Sequence, residues 1–476
     1  MEEEDLKKPT RVQRIRTWLA RPITHFKKIQ QEYTVTRYRF IILFLFCLLA
    51  IWNAMTWISV SPIAISTAQF YSVSLLYISF FSMSFMIIYL LTPLSSACMD
   101  LFGLYLSLNA AALLTNAGSI LKLVSVFFVS PAIAMVGQCL CALGQTFILS
   151  VPPLVASIWF PYPELVIVTS IGSAATQIGI GLGFLIGPLC VSSPPKASGF
   201  LWLFGSHIAM GVVIQFLLLI FFRSKPSTPP LPRQHQTSSI ERPVEPLNPP
   251  LSLSTRFRRL LPKAKHLLLL YIDGLFNAHF WLLSSSFSMG VGFIWALQTT
   301  LEYFLNPHGY SSFVVGWIGF GSVIAAALGV SLSGFLASLT HHYRSLYKIF
   351  MLSTALSCIL FIFCLRPSAL PLVLFSVLFI SFSCNSLIPL SMELGSECIF
   401  PSPSSLSSSF QYVLCNLVAC LFTLLLTLLF ESNYGYLCPI IAAVVLSLAA
   451  FVSLFYIGPY SRKASLSSSS SSSSSS

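Results

Sequence analysis

The sequence predicts an all-α membrane protein, with twelve transmembrane helices arranged as two pseudo-symmetric six-helix halves. Three observations carry that prediction. Hydrophobic residues make up 55% of the 476 and charged residues only 8%, with a mean hydropathy of +0.82, whereas a soluble domain carries about 25% charged residues. Apolar runs of about 20 residues, the length that crosses a bilayer, recur along the chain in two sets. A polar stretch rich in Pro and Ser separates the sets and reads as a flexible linker.

In order, residues 1–38 form a basic cytoplasmic tail whose Lys/Arg-rich stretch around Trp18 suits a membrane surface, and no signal-peptide pattern is expected there. The first half, 39–222, holds spans near 40–63, 74–97, 103–121, 126–152, 165–190 and 198–222. Residues 223–276 are the cytoplasmic linker. His266–Phe280 is apolar but interrupted by Asp273 and Asn277, and is expected at the interface. The second half, 277–458, holds spans near 281–304, 313–339, 346–365, 369–391, 405–430 and 436–457. The tail 459–476 ends in a run of serines and reads as disordered.

Charge fixes the orientation. Of 26 Lys and Arg, ten lie in residues 1–40, nine between Arg223 and Lys265, and two at Arg462 and Lys463. By the positive-inside rule these segments face the cytoplasm, as do Arg344 and Lys348. Only Lys122, Lys196 and Arg366 then fall outside, a split of 23 to 3. Trp52 and Trp202 are expected as interface anchors. The net charge of +12 thus reports topology and contact with lipid headgroups rather than a nucleic-acid partner. The twelve cysteines fall in or beside apolar runs and read as small buried hydrophobes, without disulfide or metal-ligand spacing. Nothing resembles a P-loop, a catalytic triad or a zinc cluster, so enzyme chemistry, a cofactor and a metal are not expected.

Gly137–Pro188 is the most informative stretch. Gly179/Gly183 and Gly183/Gly187 are GxxxG pairs, which in lipid let another helix approach closely. Gln145 and Gln177 stand in apolar runs, where an amide needs a partner on another helix or a solute in a cavity. The halves echo each other. Phe160-Pro161-Tyr162-Pro163 follows the fourth span and Phe400-Pro401-Ser402-Pro403 the tenth. Gln177 lies fourteen residues past its second proline, and Asn416 thirteen past its own. Two such halves around a midplane site are the major facilitator architecture. Asp100-Leu101-Phe102-Gly103 resembles the core of that superfamily's GxxxDxxG signature, without its flanking basic residues.

Polar and aromatic side chains recur one turn apart on three spans: Asn53, Trp57 and Ser61; Trp295, Gln298/Thr299 and Glu302; Ser405, Ser409, Tyr412 and Asn416. Amides and aromatic faces with few fixed charges suit a bulky organic cation. Interhelical packing with satisfied hydrogen bonds is the competing reading for each stripe. Glu302 is the candidate buried acid, a proton relay or a paired group at the outer mouth. Glu393 and Glu397 end the tenth span, where a gating or loop-bracing role is expected. His207 lies in the sixth span, where a packed histidine is the reading preferred over a haem ligand.

Several stretches resemble solute carrier family 49, the feline leukaemia virus subgroup C receptor-related transporters. They are Gly137-Gln138 with Gln145, Pro152/Pro153 and Ala156-Ser157-Ile158-Trp159-Phe160; Gln177-Ile178-Gly179; Asn53-Ala54-Met55-Thr56-Trp57; Asn116-Ala117-Gly118-Ser119; and Pro389-Leu390-Ser391-Met392-Glu393 with Glu397. The resemblance implies a monomeric plasma-membrane transporter working by alternating access, with a choline-like amine as leading substrate and haem as runner-up. A non-transporting solute sensor is the reading from a different class. The resemblance places the family's aromatic cage on Trp57, Gln177, Trp295 and Asn416; Asn53 and Gln298, from the stripes above, are further candidate substrate contacts. Gating or coupling falls on Asp100, Glu302, Glu393 and Glu397. Trp295 stands where the family has Tyr and Asn416 where it has Gln.

Overall fold

The computed structural model describes residues 36–149, 151–161, 164–192, 194–226, 277–340, 342–366, 369–399, 404–432 and 434–456. The expectations for the N-terminal tail, most of the linker, the serine-rich tail and the Pro-x-Pro segments Tyr162-Pro163 and Phe400–Pro403 lie outside these residues.

Sixteen described α-helices build twelve spans. In the first half these are α1 (Tyr38–Ile58) and α2 (Ala64–Tyr71), joined by a 3-10 turn, in span one. Span two is α3 (Leu75–Ile88) and α4 (Thr92–Phe102), span three α5 (Leu104–Phe127), and span four α6 (Pro131–Thr146) and α7 (Pro152–Trp159). Spans five and six are α8 (Leu165–Cys190) and α9 (Ala197–Phe221). The second half has α10 (Ala278–Leu305), α11 (Ser312–Thr340) and α12 (Tyr343–Cys364) as spans seven to nine. Span ten is α13 (Leu370–Asn385) and α14 (Leu387–Cys398); spans eleven and twelve are α15 (Ser404–Glu431) and α16 (Cys438–Leu454). Among the described residues ten helices are long and apolar enough to cross a membrane unaided. Spans two and four fall short as continuous helices because each is broken near its middle, at 89–91 and 147–151.

The packing repeats between halves. Span one packs on five as seven packs on eleven; three packs on six as nine packs on twelve. The halves meet where span two crosses eleven and five crosses eight, two contacts related by the same pseudo-twofold. The ends of the bundle are thereby defined. Tyr38, Phe221 and Ala278 mark the linker end, and Tyr71, Leu305 and Glu431 the opposite one.

The boundaries depart from expectation where a polar side chain finds a partner. Span three, expected to stop at 121, runs to Phe127. Its Lys122 is fully buried, donating to Gln138 Oε1 at 3.0 Å and lying 3.5 Å from the Thr56 carbonyl. Lys122 is therefore not an outside charge, which leaves Lys196 and Arg366 on that side. Trp52 is no interface anchor either. It is fully buried, and its Nε1 donates to the His207 carbonyl at 2.9 Å, reaching α9 over Gly211. Trp202, by contrast, is 73% exposed. Span four begins at Pro131 rather than 126, since 126–127 finish span three. Spans one and ten continue past their expected ends, to Tyr71 and Cys398.

Candidate functional site

Glycine spacing sets the geometry. On α8 the GxxxG face lies against span one so closely that a Cβ at Gly179 would sit 2.2 Å from the Ile51 carbonyl oxygen. One at Gly187 would sit 2.3 Å from that of Ser59. That contact turns Thr169, Ser173, Thr176, Gln177 and Ile180 towards the centre. There they line a cavity of about 310 Å³ with residues of spans one, two, four, seven, ten and eleven. The cavity begins one turn from the linker end of α8 and stops well short of Cys190.

Aromatic rings form its walls. Trp295 and Tyr412 stack at 6.3 Å between centroids with 6° between planes, and Trp57 and Phe85 lie 6.2 Å apart. Tyr89 completes the ring set. Three amides face the space: Gln145, Gln177 and Asn416. Asn416 Nδ2 donates to the Tyr412 carbonyl one turn back at 2.9 Å. The amides of Gln145 and Gln177 line the cavity and have no hydrogen-bond partner among the described residues. No Asp, Glu, Lys, Arg or His is among the described lining residues.

The cavity thus brings together Trp57, Gln177, Trp295 and Asn416. It does not include Asn53 or Gln298. Asn53 Nδ2 donates to Thr115 Oγ1 at 3.0 Å and to the Cys141 carbonyl at 3.1 Å, tying span one to three and four. Gln298 is buried off the lining, with its carbonyl accepting from Ser61 Oγ at 2.8 Å. Sequence reasoning missed Phe85, Met86 and Tyr89, although Phe85 and Tyr89 stand one helical turn apart. It also missed the hydroxyl stripe at 169, 173 and 176, which follows helical spacing beside the glycine face.

Opposite the linker end, the halves are bonded shut. Ser61 Oγ reaches the carbonyls of Gln298 and Thr299, each at 2.8 Å. Glu302 is fully buried; its carboxylate accepts the Ile65 N–H at 2.9 Å and the Ser312 hydroxyl at 2.6 Å. Glu431 accepts the Leu76 N–H at 2.8 Å, and Ser79 bonds Tyr303 and Thr427. At the linker end, Asp100 falls in the last turn of α4, Glu393 is exposed and Glu397 is buried on α14. His207 is buried in α9 behind Trp52, away from the cavity.

The family model of the Major Facilitator Superfamily matches residues 42–399. Solute carrier family 49 member A3 of Danio rerio is 30% identical over 412 residues, covering 85% of this chain and 81% of that protein. The chain belongs to solute carrier family 49 of the major facilitator superfamily. Other family members are similar to it. The choline/ethanolamine transporter FLVCR1 of Felis catus is 28% identical over 81% of this chain and 67% of its own length. The choline/ethanolamine transporter FLVCR2 of Homo sapiens is 26% identical over 84% of this chain and 73% of its own length. The fold is shared with solved structures. A bacterial homolog to the human lysosomal transporter Spinster, inward-facing and occupied, superposes with TM-score 0.67 at 14% identity, covering 89% of this chain and 97% of that one. A D-xylose-proton symporter gives 0.65 at 14% identity, over 89% and 99%. This family member is a membrane transporter of the major facilitator type and not an enzyme.

Proposed function

We propose that this transporter carries choline or a closely related amine across the bilayer by alternating access. The observation that carries the reading is the uncharged cavity walled by the stacked Trp295–Tyr412 pair and by Trp57 and Phe85. Ring faces attract a cation through their quadrupole, by about 2 kcal/mol or more once water is excluded. Gln145 and Gln177 offer acceptors to a substrate hydroxyl or ammonium. The names of the FLVCR relatives support the same substrate class. Haem finds no histidine among the described lining residues.

The linker end is the cytoplasmic one in this reading. Arg37, Arg39, Arg223, Lys225, Arg344 and Lys348 gather there, against Lys196 and Arg366 at the other end. Both termini are then cytoplasmic and the closed end is outside, in a carrier proposed to work as a monomer at the plasma membrane. Rocking of the halves would open the Glu302 end and close the end bearing Asp100, Glu393 and Glu397.

Saturable uptake of radiolabelled choline by cells expressing the chain tests the proposal. Trp57→Ala should raise the apparent KM by about thirty-fold, the equivalent of 2 kcal/mol, with surface labelling unchanged. Uptake indifferent to Trp57→Ala removes the cage. Binding without flux would turn the reading to a sensor.

A further inference from the structure

The buried lysine of span three has no carboxylate partner among the described residues; its ammonium instead lies 5.7 Å from the centre of the Phe204 ring and 3.0 Å from Gln138 Oε1. Gln138 turns its own donor the other way. Its Nε2 points at the carbonyl of Trp57 (3.4 Å) and that of Phe81 (3.3 Å), one turn before Phe85. Lys122 Nζ lies 3.5 Å from the carbonyl of Thr56. These span-one carbonyls are available because the helix breaks just beyond them. Ser59 N–H still bonds the Met55 carbonyl, but no backbone bond joins Val60 or Ser61 N–H to Thr56 or Trp57, and Pro62 opens the 3-10 turn that follows.

Resting on the amine-carrier reading above, we propose that Lys122 and Gln138 are positioning residues for the substrate site. Together they cap the broken end of α1 and fix the backbone under the Trp57 and Phe85 rings. Neither side chain reaches the cavity. They act through the two rings, supplying the donors that Val60 and Ser61 do not. The pair is built for that task. The ammonium orients the amide by occupying its oxygen, so the amide nitrogen faces the carbonyls. Close packing holds it in place, since a Cβ at Gly137 would lie 3.0 Å from Lys122 Cγ. A ring displaced by an ångström loses much of a cation's attraction, and misplacements of that size cost up to about a hundred-fold in other sites.

Gln138→Glu separates this role from folding. It keeps an acceptor for Lys122, now as an ion pair, but turns an oxygen towards the carbonyls of Trp57 and Phe81. The measurement is choline uptake against concentration, normalised to surface copies. The expected result is an apparent KM raised about ten-fold with the maximal rate per copy within about two-fold. Lys122→Met with Gln138→Leu, which replaces the pair by apolar groups of similar size, should do the same. In a double-mutant cycle, Gln138→Glu and Trp57→Phe should be less than additive, because one acts through the other. A wild-type KM in Gln138→Glu, a loss of surface copies or of maximal rate alone in both variants, or full additivity with Trp57→Phe overturns the proposal. Should Trp57→Phe and Trp57→Ala both leave KM unchanged, the amine site itself fails, and that result is distinct.

Discussion

Arg39 and Glu164 meet at the linker end of the first half, with Nη1 2.7 Å from Oε2 and both side chains 3% exposed. The guanidinium also lies against the rings of Phe40 and Phe160, at 4.8 and 5.1 Å from their centres. An ion pair this dry is weak evidence for net stability, but removing one partner strands a charge. Glu164→Ala should destabilise the purified protein by about 3–5 kcal/mol, read as a lowered melting temperature in detergent; an unchanged melt would show that water reaches Arg39. The same logic explains which residues were legible in the sequence. Trp57, Trp295 and Asn416 stood on polar and aromatic stripes, and Gln177 was an amide in an apolar run. The stripes also held Asn53 and Gln298, and it was the family resemblance that singled out the four that line the cavity. Lys122 and Trp52 were not. A lysine near the end of an apolar run usually sits in a headgroup layer and a tryptophan near an interface. Here the partners that bury them, Gln138 and the His207 carbonyl, are 16 and 155 residues away. Sequence carries no sign of such pairings.

Helices were legible where hydrophobicity ends abruptly. Span five was expected at 165–190 and is Leu165–Cys190, because Pro163 and Glu164 precede it and Val191-Ser192 follow. Spans two and four were expected as single runs, yet break at 89–91 and 147–151. Apolar composition hides the breaks, which proline marks only afterwards, at Pro93 and Pro152. The break in span four exposes Gln145, Leu149 and Pro152 to the cavity, so an irregularity invisible to hydropathy shapes the site. The glycine face of α8 was readable from its spacing, and it imposes a tight demand on the neighbouring span. Gly179→Val would place carbon 2.2 Å from the Ile51 oxygen and 2.8 Å from its Cα, so spans one and five must separate. Overpacking of this kind costs about 1–3 kcal/mol, occasionally more, and would widen the cavity between Trp57 and Gln177. The expected outcome is reduced surface expression and a raised choline KM in the copies that remain. Normal expression with a normal KM would mean that the two spans have room to part.

Across the whole molecule, the alternating-access proposal makes a handful of hydrogen bonds between the two halves a conformational switch. The cavity reaches towards the linker end, while Glu302, Glu431, Ser61 and Ser79 bond the halves at the other. Two of those bonds join a carboxylate to a backbone N–H of the opposite half. Hydrogen bonds to charged groups contribute about 1.5–3 kcal/mol each, enough to move a two-state equilibrium by roughly ten-fold or more. Glu302→Ala removes the bond to Ile65 and leaves that part-buried N–H without its acceptor, so the closed state loses stability relative to the one open at this end. Ala68, buried in the same region, serves as reporter. An Ala68→Cys protein should react about ten-fold faster with a membrane-impermeant maleimide when Glu302→Ala is added, measured against a parent that retains Ala68 so that native thiols are subtracted. Labelling from outside that does not change would show that Glu302 is not a latch; labelling that rises only from the linker side would reverse the orientation assigned to the two ends. Acceleration from outside, reversed by saturating choline on the cytoplasmic side, would establish that the carboxylate and the substrate bias one equilibrium between the two halves.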